Sequence, residues 1–322
     1  MVWAYDKRKE LSMNSSSRRK SFAYRLKRDF KKYWGVYLMA LPLIIYLLIF
    51  NYAPMYGVII AFKNFKPRLG IFGSQWVGLK YFKEFVNSVF FVRTFSNTIT
   101  LSGLNLLFGF AVPILFAILL NEIRNVHFKK IVQTVTYMPH FITTVVIASL
   151  ILIFTNSSGF VTQIVNSITG HEGSLIQDAA LFRPIYVITD IWASFGWSSI
   201  VYMAAIAGIN QEMYEAARVD GANKFKQIIH VTLPGITPII VIMFILAVGN
   251  IMNVGWEKTF LLQTPITYET SDIISTFVYR KGFEEINYSY SAAVGLFNSV
   301  INLGLLTMAN KLSKKLNETS LW

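Results

Sequence analysis

Residues 227–256 read QIIHVTLPGITPIIVIMFILAVGNIMNVGW, a stretch without a single Asp, Glu, Lys or Arg. A hydrocarbon core about 30 Å thick needs about 20 apolar residues in a helix, so this stretch is long enough to cross a membrane. Further stretches with no charge, or with Asp190 alone, cover 33–62, 94–121, 131–171, 184–210 and 286–310. The sequence therefore predicts an all-α integral membrane protein with six transmembrane helices.

The predicted spans divide the chain into segments. They cover 33–62, about 95–120, 131–154, 184–209, 234–256 and 288–309. A basic segment precedes the first span at 1–32, a loop of 63–93 follows it, and a tail of 310–322 ends the chain. Residues 94–309 are then the transmembrane domain proper, with the first span as an addition.

Composition excludes several classes of protein. Of the 322 residues, 54% are hydrophobic and 15% are charged, whereas a soluble domain is about 25% charged. A disordered chain and an ordinary soluble enzyme are therefore not expected. The absence of cysteine excludes disulfides and thiol nucleophiles. The four histidines are scattered and no phosphate-loop motif occurs, so neither a metal site nor ATP hydrolysis by this chain is expected.

The net charge of +13 is concentrated on one side of the predicted membrane. With the N-terminus inside, inner segments hold 20 Lys and Arg and outer segments hold 10, which favours cytoplasmic N- and C-termini. The basic segment 1–32 fits an interfacial helix on anionic membrane lipid. A solvated tail that only fixes orientation is equally compatible. Nucleic acid is not an expected partner, because the basic residues flank a membrane span.

The loop 211–234, which leads directly into the quoted stretch, has the features of a helical hairpin. Asn210 is suited to cap a first helix, and Gly221 can adopt the left-handed conformation that ends it. Ala216 and Ala217 would allow a partner to approach closely. A second short helix then leads to Pro234, where the fifth span should begin. This loop is either a docking surface on the inner face or a hairpin that merely links two spans.

The same loop resembles the EAA loop of ABC-importer permeases. The matching residues are Glu215, Ala216, Ala217, Gly221, Val231, Leu233 and Pro234, with Asp220 inside the motif. Val231 is a mild departure, since Ile is more usual there. In such permeases the loop forms a coupling helix seated in a groove of a cytoplasmic ATPase. The resemblance implies the fold of a type I ABC-importer transmembrane domain.

The resemblance extends over about residues 33–322. Segments such as NYAPMYGVIIAFKNF, WVGLKYF, YMPHF and VYRKGF resemble the carbohydrate-uptake branch of these permeases, which is MalF-like, and more narrowly its LplB and alginate-importer type. It implies import of oligosaccharides across a bacterial cytoplasmic membrane. It also implies a second permease, two ATPase subunits that bind ATP and Mg, and an extracellular solute-binding protein. No cofactor is expected in this chain.

Polar and aromatic residues at membrane depth are candidates for the substrate path. They are Asp190, Trp197, Asn253, Trp256 and Asn298. Intramembrane ionisable residues usually face a bundle interior or water. Amides, carboxylates and indole rings are also what a sugar-binding path needs. The alternative is that these residues hold helices together, as polar residues do in many membrane bundles.

Two other function classes remain as alternatives to a permease. A membrane-embedded enzyme acting on lipid-linked sugars would need convergent acid, base or metal groups, which a single intramembrane Asp does not supply. An ion-coupled secondary transporter would carry its own ion site and would need no ATPase-docking loop. Transport that stops on removal of ATP, with the ion gradient intact, distinguishes a permease of an ATP-driven importer from both.

Overall fold

The computed structural model describes residues 29–317. Predictions for the basic segment 1–32 fall almost entirely outside this range. The chain divides by its internal contacts into two compact units, one ending at Ile59 and one beginning at Ile60. The first contains helix α1 (Trp34–Leu47), which continues through a π turn at Leu48–Tyr52 and a short helix at Ala53–Met55. No side chain of α1 is buried, although the helix is apolar all round, which is typical of a membrane span.

The second unit begins within the 3₁₀ segment Tyr56–Phe62 and is almost entirely helical. Its strands β1 (Lys63–Asn64) and β2 (Gln75–Trp76) pair antiparallel around a helical turn at Gly70–Gly73. Its remaining helices are α2 (Lys80–Val86), α3 (Val89–Leu104), α4 (Phe110–Glu122), α5 (Val126–Tyr137), α6 (Thr144–Thr155), α7 (Phe160–Thr169), α8 (Ala179–Ala207), α9 (Gln211–Val219), α10 (Lys224–Gln227), α11 (Leu233–Val248), α12 (Trp256–Leu262), α13 (Tyr268–Ser271), α14 (Ile274–Tyr279) and α15 (Tyr288–Asn317).

Short segments of other helix types join several of these helices. The π turns are Asn105–Gly109, Ile228–Thr232 and Arg280–Glu284, and the 3₁₀ segments are Met138–Phe141, Leu175–Gln177 and Pro265–Thr267. Four helical stretches in the described part of the chain are long and apolar enough to cross a membrane, namely Trp34–Phe62, Val89–Glu122, Lys224–Val248 and Tyr288–Lys315. Two bent pairs raise the number to six if each pair counts as one span.

The structure corrects the span predicted at 131–154. Helices α5 and α6 meet there at an angle of 98°, with the 3₁₀ segment Met138–Phe141 between them. Pro139 accounts for the break, because proline cannot donate a backbone hydrogen bond and clashes with the preceding turn of a helix. The bend turns His140 and its neighbours toward the middle of α8.

The helix observed over the span predicted at about 234–256 is displaced toward the N-terminus. Helix α11 stops at Val248, so Asn250 and Asn253 lie beyond its end. At its other end, α10, the π turn Ile228–Thr232 and α11 form one helix from Lys224 to Val248. The second helix of the predicted hairpin is therefore continuous with the span that follows it.

Residues 63–93, expected as a loop, fold onto the helices. Tyr81 and Phe85 of α2 are buried in an aromatic cluster with Phe277 of α14 and Tyr290 of α15. Helix α8 lies at the centre of the second unit and packs against α4, α11 and α13. This central helix carries Asp190 at its middle, where the open space in the structure is found.

Close packing against α8 depends on one glycine. A Cβ atom at Gly196 would lie 2.2 Å from the backbone oxygen of Thr136 in α5. Small residues at such crossings allow helix backbones in membranes to approach one another closely. Gly196 therefore fixes α5, and with it the bend after α5, against the central helix.

Candidate functional site

A first cavity of about 390 Å³ lies where the α5–α6 bend, the middle of α8 and the start of α12 meet. Its lining combines apolar groups with two carboxylates, an ammonium, an imidazole and an indole. The lining residues are Pro139, His140, Ile142, Thr144, Ile147, Asp190, Ala193, Ser194, Gly255, Trp256, Glu257 and Lys258. Mostly apolar walls with a few placed polar groups are the usual composition of ligand sites.

A second cavity of about 240 Å³ lies on another side of the same part of α8. Its walls come from α3, the π turn that follows α3, and the residues around the end of α11. They include Ser102, Asn105, Leu106, Gly109, Phe110, Ala247, Asn250, Ile251 and Val254. Asp190 and Ser194 line both cavities, so they mark the boundary between them.

Asp190 is paired with a residue that the sequence did not identify as a site residue. The Nζ of Lys258 lies 3.3 Å from Oδ1 of Asp190 and donates to the backbone oxygen of Tyr186 at 2.9 Å. The Lys258 side chain is only 6% exposed, whereas that of Asp190 is 40% exposed. Burial lowers the pKa of Lys258, and the charge of Asp190 opposes that effect. Because Lys258 lies outside the predicted spans, the sequence indicates only a contribution of its charge to membrane orientation.

Two tryptophans predicted for the path have different positions. Trp256 is half exposed, lines the first cavity and stacks on Tyr279 with ring centroids 5.7 Å apart. Trp197 lines neither cavity and instead stacks on His140, with centroids 4.6 Å apart and rings nearly parallel. His140 forms part of the cavity wall. Trp197 thus contacts a lining residue without lining either cavity itself.

The amides near the end of α11 hold a loop in place. Asn298 of α15 donates to the backbone oxygen of Met252 at 3.2 Å and to Oδ1 of Asn253 at 3.4 Å. Asn302, one turn further on, donates to the backbone oxygen of Gly249. Asn298 is buried, and neither it nor Asn253 lines a cavity described above. The structure therefore brings Asp190 and Trp256 together and leaves Trp197, Asn253 and Asn298 outside the cavity walls.

A charged cluster ties α3 to the segment between α12 and α15. The fully buried carboxylate of Asp272 accepts from Arg93 at 2.9 Å and from Arg280 at 2.7 Å. Asn97 donates to the backbone oxygen of Asp272 and accepts from Arg183 at 2.7 Å. Arg93 and Asp272 are 179 positions apart, so no local pattern could have paired them. The cluster fixes the ends of elements whose middle parts surround the cavities.

The predicted hairpin has the caps that the sequence indicated. The side chain of Asn210 accepts from the backbone N–H of Glu212, and Asn223 does the same for Lys226 at the start of α10. Gly221 adopts φ of +77°, and the N–H of Ala222 donates to the oxygen of Ala217 at 2.8 Å. A left-handed residue that ends a helix in this way is most often glycine. The two helices therefore meet at a sharp turn that is held by side-chain caps and a backbone hydrogen bond.

The alanine pair of the hairpin has one inward and one outward member. Ala217 packs against the buried cluster that contains Ile209 and Val231, whereas Ala216 is exposed. Leu233 also packs against this cluster, while Glu215, Asp220 and Pro234 are exposed. Large apolar side chains also face outward from the hairpin, at Met213, Val219 and Phe225. This exposed apolar surface, referred to below as the hairpin surface, has no covering residues among 29–317.

Within the described part of the chain, no three His, Asp or Glu side chains converge as a metal site would require.

The long apolar helices, the broken pair at Pro139 and the exposed hairpin define a membrane transport subunit. The family of inner membrane components of binding-protein-dependent transport systems matches residues 109–318, and the chain belongs to this family.

Individual relatives that are more than 40% identical show which members of the family this chain resembles. Protein LplB of Bacillus subtilis (strain 168) is 42% identical over 298 residues, which are 92% of each chain. The polygalacturonan/rhamnogalacturonan transport system permease protein YteP of the same organism is 41% identical, over 89% of this chain and 90% of YteP. A chain in the crystal structure of a bacterial ABC transporter involved in the import of the acidic polysaccharide alginate is 42% identical with a TM-score of 0.84. That match covers 91% of this chain and 99% of the other.

A second structure of the alginate transporter contains a periplasmic protein with bound alginate pentasaccharide. Its matching chain gives a TM-score of 0.85 at 41% identity, over 92% of this chain and all of that one. These similarities confirm the all-α importer fold and the resemblance to the carbohydrate-uptake branch.

Proposed function

We propose that this chain is the permease subunit of an ATP-driven importer that carries oligosaccharides across the cytoplasmic membrane of a bacterium. One observation carries the proposal: more than nine-tenths of the chain superposes on a permease of an alginate importer at 42% identity. The similarity to a polygalacturonan and rhamnogalacturonan permease supports the same substrate class. Both relatives are named for polysaccharide-derived cargo rather than for monosaccharides.

The first cavity is this chain's contribution to the translocation path. Asp190 can accept hydrogen bonds from sugar hydroxyls, and the half-exposed indole of Trp256 can stack on the apolar face of a sugar ring. His140 and Lys258 add donors on the same walls. A second, homologous permease supplies the facing half of the path, so this chain alone is not expected to enclose a substrate.

The hairpin surface is the docking site for the ATPase subunits of the importer. Two ATPase subunits bind ATP and Mg, and one of them seats the α9–α10 hairpin in a groove. Closure of the ATPase pair then moves the hairpin and switches the path between outward-facing and inward-facing packings. An extracellular solute-binding protein delivers the oligosaccharide from the other side. No cofactor is assigned to this chain.

Uptake by the assembled importer tests the proposal. Cells that contain the complete importer are given radiolabelled oligosaccharides prepared from alginate, polygalacturonan and arabinan, and internal ATP is then depleted with the ion gradient maintained. We expect uptake of at least one of the three to stop with ATP. Uptake that continues without ATP would instead indicate an ion-coupled transporter, and uptake of none of the three would remove the oligosaccharide assignment.

Docking is tested separately by adding bulk to the exposed alanine. Ala216→Trp places an indole on the hairpin surface and should abolish co-purification of the ATPase subunits with the permease. Ala180→Trp is the matched control, since Ala180 is also exposed but lies at the opposite end of α8 from the hairpin. The docking role fails if the ATPase co-purifies equally well with both variants.

A further inference from the structure

Asp190 is held from both sides at the boundary between the two cavities. Lys258, which lines the first cavity, reaches Oδ1 of Asp190 at 3.3 Å. Asn105, which lines the second cavity, donates from Nδ2 to Oδ2 at 3.1 Å. Three polar side chains therefore stand in a row across the boundary, and each outer member belongs to a different cavity.

The two ends of the Lys258–Asp190 pair differ in how firmly they are fixed. The Lys258 ammonium is nearly enclosed, bonded to the backbone oxygen of Tyr186 at 2.9 Å and 4.4 Å from the centre of the Tyr186 ring. The Asp190 side chain is 40% exposed and faces open space. When the pair parts, Lys258 keeps its contacts to Tyr186, and these offset part of the cost of leaving a nearly enclosed ammonium without its carboxylate.

The second cavity alone is too small for the proposed cargo. The second cavity, at about 240 Å³, is smaller than the pockets of about 300–1,000 Å³ that hold drug-sized ligands. Asp190 and Ser194 are shared by both linings, so moving the Asp190 side chain would join the two spaces. A joined space is what a chain of several sugar rings needs.

We propose that Lys258 is a positioning residue that closes the translocation path by holding Asp190 across the boundary between the two cavities. The path opens when this ion pair parts and the cavities become one passage. This inference rests on the proposed permease function, because it assumes that the first cavity is reached from outside. Lys258 and Asn105 then act in closing the path, whereas the hairpin surface acts in docking the ATPase.

Cysteine labelling tests the closure directly, since the natural chain has no cysteine. Leu106→Cys places a reporter in the second cavity and Thr144→Cys places one in the first. Intact cells carrying the complete importer, without added sugar, are treated with a membrane-impermeant maleimide. Labelling of this chain is then measured only in importer recovered as an assembled complex.

We expect Lys258→Met to speed labelling of Leu106→Cys by about fivefold or more, because about 1 kcal/mol is the upper end for exposed pairs and the Lys258 ammonium is nearly enclosed. Asp190→Asn should produce the same increase from the other side of the pair, which covers the case in which Lys258→Met does not assemble. Exchanging the two charges, with Asp190→Lys and Lys258→Asp together, should restore slow labelling. The Thr144→Cys reporter should react at one rate in every background.

The matched control is Lys281→Met. It breaks an ion pair with Glu285, with Nζ and Oε2 2.6 Å apart, which lies away from both cavities. It should leave labelling of Leu106→Cys unchanged.

Two results would overturn the inference. One is equal labelling of Leu106→Cys with and without the Lys258–Asp190 pair. The other is a Thr144→Cys reporter that does not react from outside, because the first cavity would then not be the outer part of the path. Neither result depends on uptake, so an importer that takes up oligosaccharides can still fail this test, and one that takes up none of the tested sugars can pass it.

Discussion

Gly196 has no side chain, and this allows α5 and α8 to cross at a short distance. Replacing it with alanine would force a Cβ atom against the backbone of Thr136, and we expect a loss of about 1–3 kcal/mol, the usual cost of overpacking. Thermal unfolding of the solubilised protein measures this loss. Gly295→Ala is the matched control in α15, where a Cβ atom meets nothing within 4 Å. Equal melting temperatures for the two variants would show that α5 and α8 are free to separate.

Trp197 illustrates the difference between lining a cavity and supporting its wall. Trp197→Leu removes the ring that stacks on His140, and aromatic pairs of this kind contribute about 0.5–1.5 kcal/mol. We expect a lower melting temperature, with uptake of the transported sugar falling only in proportion to assembled importer. Trp197→Phe keeps a flat ring and should lose less stability. Normal assembly of Trp197→Leu combined with lost uptake would place Trp197 in contact with substrate instead.

Asp272 is the buried charge on which two arginines depend. Asp272→Asn leaves Arg93 and Arg280 without their shared carboxylate, and removing one partner of a buried pair costs about 3–5 kcal/mol. Glu285→Gln breaks the more exposed pair with Lys281 and should cost about 1 kcal/mol or less. Chemical denaturation of the solubilised protein compares the two. Similar losses in the free energy of unfolding would mean that the Asp272 cluster stabilises the protein no more than the exposed pair does.

At the scale of elements, the sequence predicted what depends on local composition. Uncharged stretches located the apolar helices, and Asn210 and Gly221 marked the caps of α9, because these signals are carried by adjacent residues. The break at the end of the quoted stretch 227–256 was not predicted. The residues from 248 to 256 are as uncharged as a span, yet Gly249 and Gly255 flank a loop that is held by amides of α15.

The candidate site was predictable only in part, for a related reason. Asp190 stood out because a carboxylate inside an apolar stretch is costly and rare. Lys258 did not, since it follows the predicted span and its partner is 68 positions away. His140 gained its place in the cavity wall from the 98° bend, because Pro139 marks a break in the helix but does not specify its angle. Contacts between distant segments thus account for most of what the sequence left open.

At the scale of the whole molecule, the distribution of basic residues predicts which end of each helix faces the cytoplasm. A cysteine at Glu172, between α7 and α8, should react with an impermeant thiol reagent in intact cells, and one at Lys224 should not. Both positions are exposed in this chain. The chain is expressed without its ATPase subunits, because the proposed docking would cover Lys224, so access then depends on the membrane alone. Labelling of this chain after permeabilisation, when both should react, is the control. The reverse pattern in intact cells would invert the topology.

The unbroken helix from Lys224 to Val248 acts as a rigid rod between the hairpin surface and the second cavity. Its 25 residues span about 37 Å at 1.5 Å per residue. Ala247, near one end, lines the second cavity, while Phe225, near the other, is exposed on the hairpin surface. Under the proposed docking, a push at the hairpin would reach the cavity wall as a movement of the whole helix, unless the helix bends at the π turn Ile228–Thr232 or at Pro238. The stiffness of the helix at these two points would then set how far the cavity wall moves when the ATPase subunits close.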